Sequence, residues 1–332
     1  MRKLTFSNVL HGVAQLAGLD RDNLSTNEFK RIRDLADARL ALAWETGEWH
    51  DTLLIEKRRF RLLWDSTTAY AQNTEVYYAV EDKYYQSLSG SNTGNLPTDK
   101  SKWADVSESP SGNDWESGNA YVLGDRAKYT TDGEHYWCIS AHTSSSSITP
   151  ASSSYWTQLI AFDRYLAYEQ TGETKIGEFL ALTRKDPRNF SANKEYSFEL
   201  TGLGAHVVSN VNTIWVKGRK HRPLLTGDNY SATSTYASGE QVYFEGSFYD
   251  ANASVAVNES PTVASSKWDL VQLPYIFQGY LIRGAYADYL RATGNNELAT
   301  PADADAEAVL TIEADKLLRQ QGQVKRLNVY TY

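Results

Sequence analysis

The sequence predicts an α+β protein: a helical bundle built from both chain ends, a central antiparallel β region, and small β modules as insertions. Three observations lead there. Apolar residues recur at helical spacing in the first fifty and the last sixty residues. The middle is made of short strand-like runs punctuated by Gly, Pro, Asn and Asp. Within that middle, one aromatic pattern occurs three times.

The N-terminal helices occupy residues 1–50. Phe6, Val9, Leu10, Val13, Leu16 and Ala17 mark a first amphipathic helix, closed near Gly18. Ser25-Thr-Asn-Glu28 reads as a capping box opening a second helix. Its buried face is Phe29, Ile32, Leu35, Ala36, Leu40, Ala43 and Trp44. Its wet side is Arg31, Arg33, Asp34, Asp37 and Arg39, and Gly47 ends it. Residues 51–69 form a strand segment, where 53–64 (LLIEKRRFRLLW) read as strand in preference to a short continuation of helix. The central antiparallel region spans 160–230. There Phe162–Tyr168 and Ile176–Thr183 read as a hairpin turned at Gly172, followed by strands at 196–201, 205–209 and 213–218.

The C-terminal helices span 273–322. Pro274 suits a helical first turn, with Phe277, Tyr280, Leu281, Gly284, Ala285 and Asp288 on one side and Gly294 at the end. Thr300-Pro-Ala-Asp303 reads as the start of a second helix, with Ala306, Val309, Leu310 and Leu317 as its apolar stripe and a stop near Gly322. Residues 323–332 are rich in strand formers and end on an aromatic. Such an extended tail suits docking on another surface.

The repeat runs from Tyr70 to Trp103, from Tyr121 to Trp156 and from Tyr236 to Trp268, within modules at 70–106, 112–159 and 231–272. Six residues after each opening Tyr stands a small apolar residue: Val76, Ala127, Val242. An aromatic cluster follows (Tyr84-Tyr85, His135-Tyr136-Trp137, Phe248-Tyr249), then a polar loop, a proline (Pro97, Pro150, Pro261) and the closing Trp. The second and third copies share a turn, Gly124-Asp125 and Gly239-Glu240. This pattern resembles the small chitin- and cellulose-binding modules of bacterial chitinases. That resemblance implies glycan stacking on Tyr121, Tyr136, Trp137, Trp156, Tyr236, Tyr249 and Trp268. A unit of this size without disulfides needs the same aromatics to make a core, and that structural reading is preferred.

A net charge of −8 and 22% charged residues describe an acidic soluble chain without a global basic field for nucleic acid. The single Cys138 excludes an intrachain disulfide framework and fits a reducing cytoplasm. No run of eighteen apolar residues spans a membrane, and the first residues lack a secretion signal. Enzyme motifs are absent. His11, His50, His135, His142, His206 and His221 are scattered, and no phosphate loop or nucleophile elbow occurs. No cofactor or metal is expected. Asp303, Asp305 and Glu307 read as a solvated helix face. Lys57-Arg58-Arg59…Arg61 and Lys217…Arg222 read as the wet face of a sheet before they read as phosphate contacts. A polysaccharide hydrolase would need two carboxylates meeting in a cleft.

Several segments together resemble the head-to-tail connectors of tailed bacteriophages. They are Arg39-Leu-Ala-Leu-Ala-Trp-Glu45 with Glu48-Trp49, Ile176-Gly-Glu-Phe179, Asp186-Pro-Arg188, Ile214-Trp-Val216, Leu273-Pro274, Gly284–Arg291, and Gln320-Gln-Gly-Gln323 with Val329-Tyr-Thr-Tyr332. The resemblance implies a structural, non-enzymatic virion protein assembled in the host cytoplasm. It would form a homo-oligomeric ring, commonly of twelve copies, beneath the portal protein and above a tail or nozzle protein, around double-stranded DNA in transit. The portal-docking arm would be Arg326, Leu327, Asn328, Val329, Tyr330, Thr331 and Tyr332. The alternative expectation is a virion protein that binds a surface glycan and aids host adsorption.

Overall fold

The apolar spacing of the first stretch yields helix α1 (Phe6–Leu16), which buries Phe6, Val9, Leu10, Val13 and Ala14. The predicted capping box then opens α2 (Thr26–Glu45): the Ser25 hydroxyl oxygen accepts from the Glu28 N–H, and the Glu28 carboxylate accepts from the Ser25 N–H. The computed structural model describes residues 3–108, 110–189 and 194–320. They form a mixed α+β protein that divides into two units, one built from residues up to 53 together with those from 221 onward, the other from Leu54–Lys220.

In the first unit α1 and α2 share a core with α3 (Gln278–Ala292) and α4 (Asn296–Gln320), closed by Leu4, Trp49, Leu225, Phe248, Leu273 and Phe277. Lys3–Leu4 pairs antiparallel with Leu273–Pro274. Pro274 therefore ends a strand instead of starting a helix, and a 3₁₀ turn over Tyr275–Phe277 leads into α3. Proline tolerates this place because a strand edge needs no donor from it. The second C-terminal helix also begins earlier than expected. The Asn295 carbonyl accepts from Ala299 N–H, and Pro301 lies in the second turn, leaving the Glu297 carbonyl without a helical donor. Arg33 and Arg39, expected on the wet side of α2, are buried at 9% and 6% exposure.

The second unit contains two three-stranded sheets beside the first two repeats. One orders Ile176–Thr183, Thr213–Lys220 and Leu53–Arg59; the other orders Tyr165–Ala167, Gly204–Val207 and Phe198–Leu200. The expected hairpin across Gly172 does not form. Its arms join different sheets, Leu166 pairing with Ala205 and Leu182 with Val216. Gly172 still turns the chain with φ +79°. Leu54, Phe60, Leu166, Ile176, Phe179, Leu182, Ile214 and Val216 form this unit's core. Three arginines of the two basic clusters on this unit are neutralised within it, and Arg59 lies over the Tyr77 ring. Arg58 pairs with Glu173 and Glu56, Arg61 with Glu75 at 2.6 Å, and Arg219 with Glu178 at 3.0 Å. Arg222, in the first unit, pairs with Asp37 at 2.6 Å.

Candidate functional site

The three repeats fold alike at their matched positions. In each, the small apolar residue pairs across two strands with an aromatic: Val76 with Tyr85, Ala127 with Tyr136, Val242 with Tyr249. The closing Trp pairs with a small residue on that same central strand: Trp103 with Ser87, Trp156 with Cys138, Trp268 with Ala251. The opening Tyr meets the closing Trp edge-on, at 5.4, 4.9 and 5.5 Å between ring centres. Its hydroxyl accepts the N–H five residues upstream, from Asp65, Glu116 and Ser231. The turn before the first main strand needs a left-handed residue, supplied by Gly124 (φ +92°), Gly239 (φ +93°) and Asn73 (φ +68°). Asparagine tolerates that conformation, so the first copy keeps the turn without a glycine.

One further position belongs to the repeat and was missed in the sequence. Trp64, Trp115 and Tyr230 stand six residues before each opening Tyr. They meet Tyr78, Tyr129 and Phe244 edge-on at 5.7, 5.7 and 5.4 Å. The six-residue interval was the available signal. It fell outside the span from opening Tyr to closing Trp.

Side-chain alternation on the central strand gives each module two faces. One face supplies the module's own core through Tyr85, Tyr136 and Tyr249. The other anchors the module in its unit: Tyr84 and Trp137 in the core of the second unit, Phe248 in that of the first. Of the residues considered for glycan stacking, Trp137, Trp156 and Trp268 are buried at 5%, 2% and 5% exposure and present no ring face. Trp137 donates to the Lys100 carbonyl and Trp268 to the Glu259 carbonyl. Tyr121, Tyr136, Tyr236 and Tyr249 are half-buried, and each takes part in its module's core. The portal-docking residues Arg326–Tyr332 lie outside the described residues.

Among the described residues no three His, Cys, Asp or Glu side chains gather as metal ligands. Cys138 is buried where the sibling repeats carry Ser87 and Ala251; burial pushes its thiol up, which disfavours the nucleophilic thiolate. Asp303 is not a solvated carboxylate but an ion-pair partner of Arg39 and Arg291. No helix among the described residues is long and apolar enough to cross a membrane. No protein-family model and no curated protein matches the chain.

Proposed function

We propose that this chain is a structural virion protein, a head-to-tail connector that forms a ring under the portal and joins the capsid to the tail around the DNA exit channel. The observation that carries the reading is the shared core of α1, α2, α3 and α4, drawn from both ends of the chain, with Leu54–Lys220 as an insertion. These helices form the bundle that packs within and between subunits, in a ring of about twelve copies as the family resemblance implies. The repeats decorate it. The buried tryptophans support a packing role for the repeats over presentation of rings to sugar. The protein does no chemistry and works in the virion neck after assembly in the host cytoplasm. A net charge of −8 suits a channel that must let DNA leave without gripping it.

The arm Arg326–Tyr332 docks on the portal and the opposite face receives the tail or nozzle protein. Deleting residues 324–332 leaves a folded, soluble protein that no longer attaches to portal-bearing heads, as sedimentation of assembled particles would report. Attachment at the normal level refutes the docking role.

A further inference from the structure

A cleft of about 370 Å³ opens between the first and second repeats, both within the second unit. The two modules are joined at its floor: Trp137 Nε1 donates to the Lys100 carbonyl at 3.1 Å, and Arg126 Nη2 donates to the Asp105 carbonyl at 2.6 Å. Glu81, Lys83, Lys100, Asp105 and Arg126 supply its charge. Three cations against two carboxylates leave it net positive, in a chain whose overall charge is −8.

The charges are unevenly matched. Lys83 pairs with Asp105 at 2.9 Å, and Glu81 accepts from the Tyr85 hydroxyl. Among the described residues no carboxylate pairs with Lys100 or Arg126. Both gather at Trp137. The Arg126 guanidinium lies 5.4 Å over its ring, and Lys100 crosses Gly124, where an added Cβ would lie 2.9 Å from Lys100 Cδ and 3.5 Å from Trp137 Cζ2. Gly124 thus serves twice, giving the turn its positive φ and leaving room for the lysine.

Two cations without a carboxylate partner in one cleft call for an acid group. Carboxylates in the same cleft would repel a purely anionic ligand but accept hydrogen bonds from hydroxyls. A nucleotide base needs an open aromatic platform, and Trp103 and Trp137 are buried at 1% and 5% exposure. A polyhydroxylated ligand with one acid group meets these demands, and the volume falls within the usual range for small-molecule sites, roughly 300–1,000 Å³. We propose that this cleft binds an acidic saccharide, its carboxylate or phosphate held between Lys100 and Arg126 and its hydroxyls donated to Glu81 and Asp105. The proposal is independent of the connector reading.

The test is calorimetric titration of the full chain with digalacturonic acid, with glucose 1-phosphate, and with cellobiose as the neutral counterpart. At least one acidic sugar binds with Kd of about 1 mM or tighter, and its affinity falls as salt rises from about 50 to about 200 mM; cellobiose does not bind. The winning arm identifies the acid group. Lys100→Ala and Arg126→Ala each weaken binding by about tenfold or more, whereas Lys57→Ala, outside the cleft, leaves it unchanged. Thermal melting of each variant checks that the fold is retained. Failure of both acidic sugars to bind at about 10 mM, equal binding of cellobiose, or full binding by folded Lys100→Ala overturns the proposal.

Discussion

A guanidinium buried to 6% exposure, as in Arg39, stays charged at low cost only where carboxylates meet it. Arg39 donates from Nε and Nη2 to both oxygens of Asp288, at 2.5 and 2.7 Å. Asp303 Oδ1 lies 2.7 Å from Nη2 but off the donor axis, an ion-pair contact without a hydrogen bond. Arg291 completes the group through Asp303 Oδ2 and Asp288 Oδ1. Gly284 makes it possible, since a Cβ there would stand 2.8 Å from Arg39 Cδ. One residue of α2 thereby ties α3 to α4. Arg39→Met keeps the apolar stem and leaves two half-buried carboxylates short of a cation, so urea denaturation should show a loss of about 3 kcal/mol. The same network has a pH signature. The hydrogen bond from Arg291 first, and then the positive charge of Arg39 beside it, hold the Asp303 carboxyl below its usual value of about 3.8. Its support for the fold is therefore complete above that ordinary value and is lost as pH falls through the lower folded one. Asp303→Asn should lower the melting temperature at pH 7 and flatten its decline below pH 4, measured by melts across that range.

At the scale of elements, the three repeats act as natural variants of one another. Each closing Trp is the largest buried side chain of its module's own core, so Trp103→Ala, Trp156→Ala and Trp268→Ala should each cost about 3–5 kcal/mol. Cys138 sits where its siblings carry Ser87 and Ala251, and Cys138→Ala should change stability by less than about 1 kcal/mol in denaturant melts. The sequence displayed what is decided locally. The Ser25–Glu28 cap and the apolar stripes of α1 and α2 could be read directly, because each is set by residues within one or two turns. The Tyr-to-Trp repeat was legible for the same reason. Strand partnership was not. Nothing near Gly172 indicates that Leu166 prefers Ala205 while Leu182 prefers Val216, since both choices depend on segments about 35 to 40 residues away. The burial of Arg39 was hidden too, because its partners Asp288 and Asp303 come from the far end of the chain.

For the whole molecule, the chain leaves the first unit near Leu53 and returns at His221, and each unit has a core of its own. Two cores of this kind need not melt together; cooperative all-or-none unfolding is a property of single small domains. The sequence distributes two spectroscopic probes unequally between them. All four helices among the described residues belong to the first unit, so ellipticity at 222 nm reports chiefly on it. Six of the nine tryptophans (Trp64, Trp103, Trp115, Trp137, Trp156 and Trp215) belong to the second, so fluorescence reports chiefly on that. In a urea titration the two signals should give separate midpoints. Arg39→Met should move the ellipticity midpoint and leave the fluorescence midpoint in place, because the Arg39 group lies wholly in the first unit. Leu182→Ala, in the core of the second, should do the reverse, with a loss of about 2–5 kcal/mol on the fluorescence transition alone. Coincident midpoints that shift together in both variants would mean that the two units unfold as one cooperative body, and the insertion would then have to be counted as part of the helical scaffold.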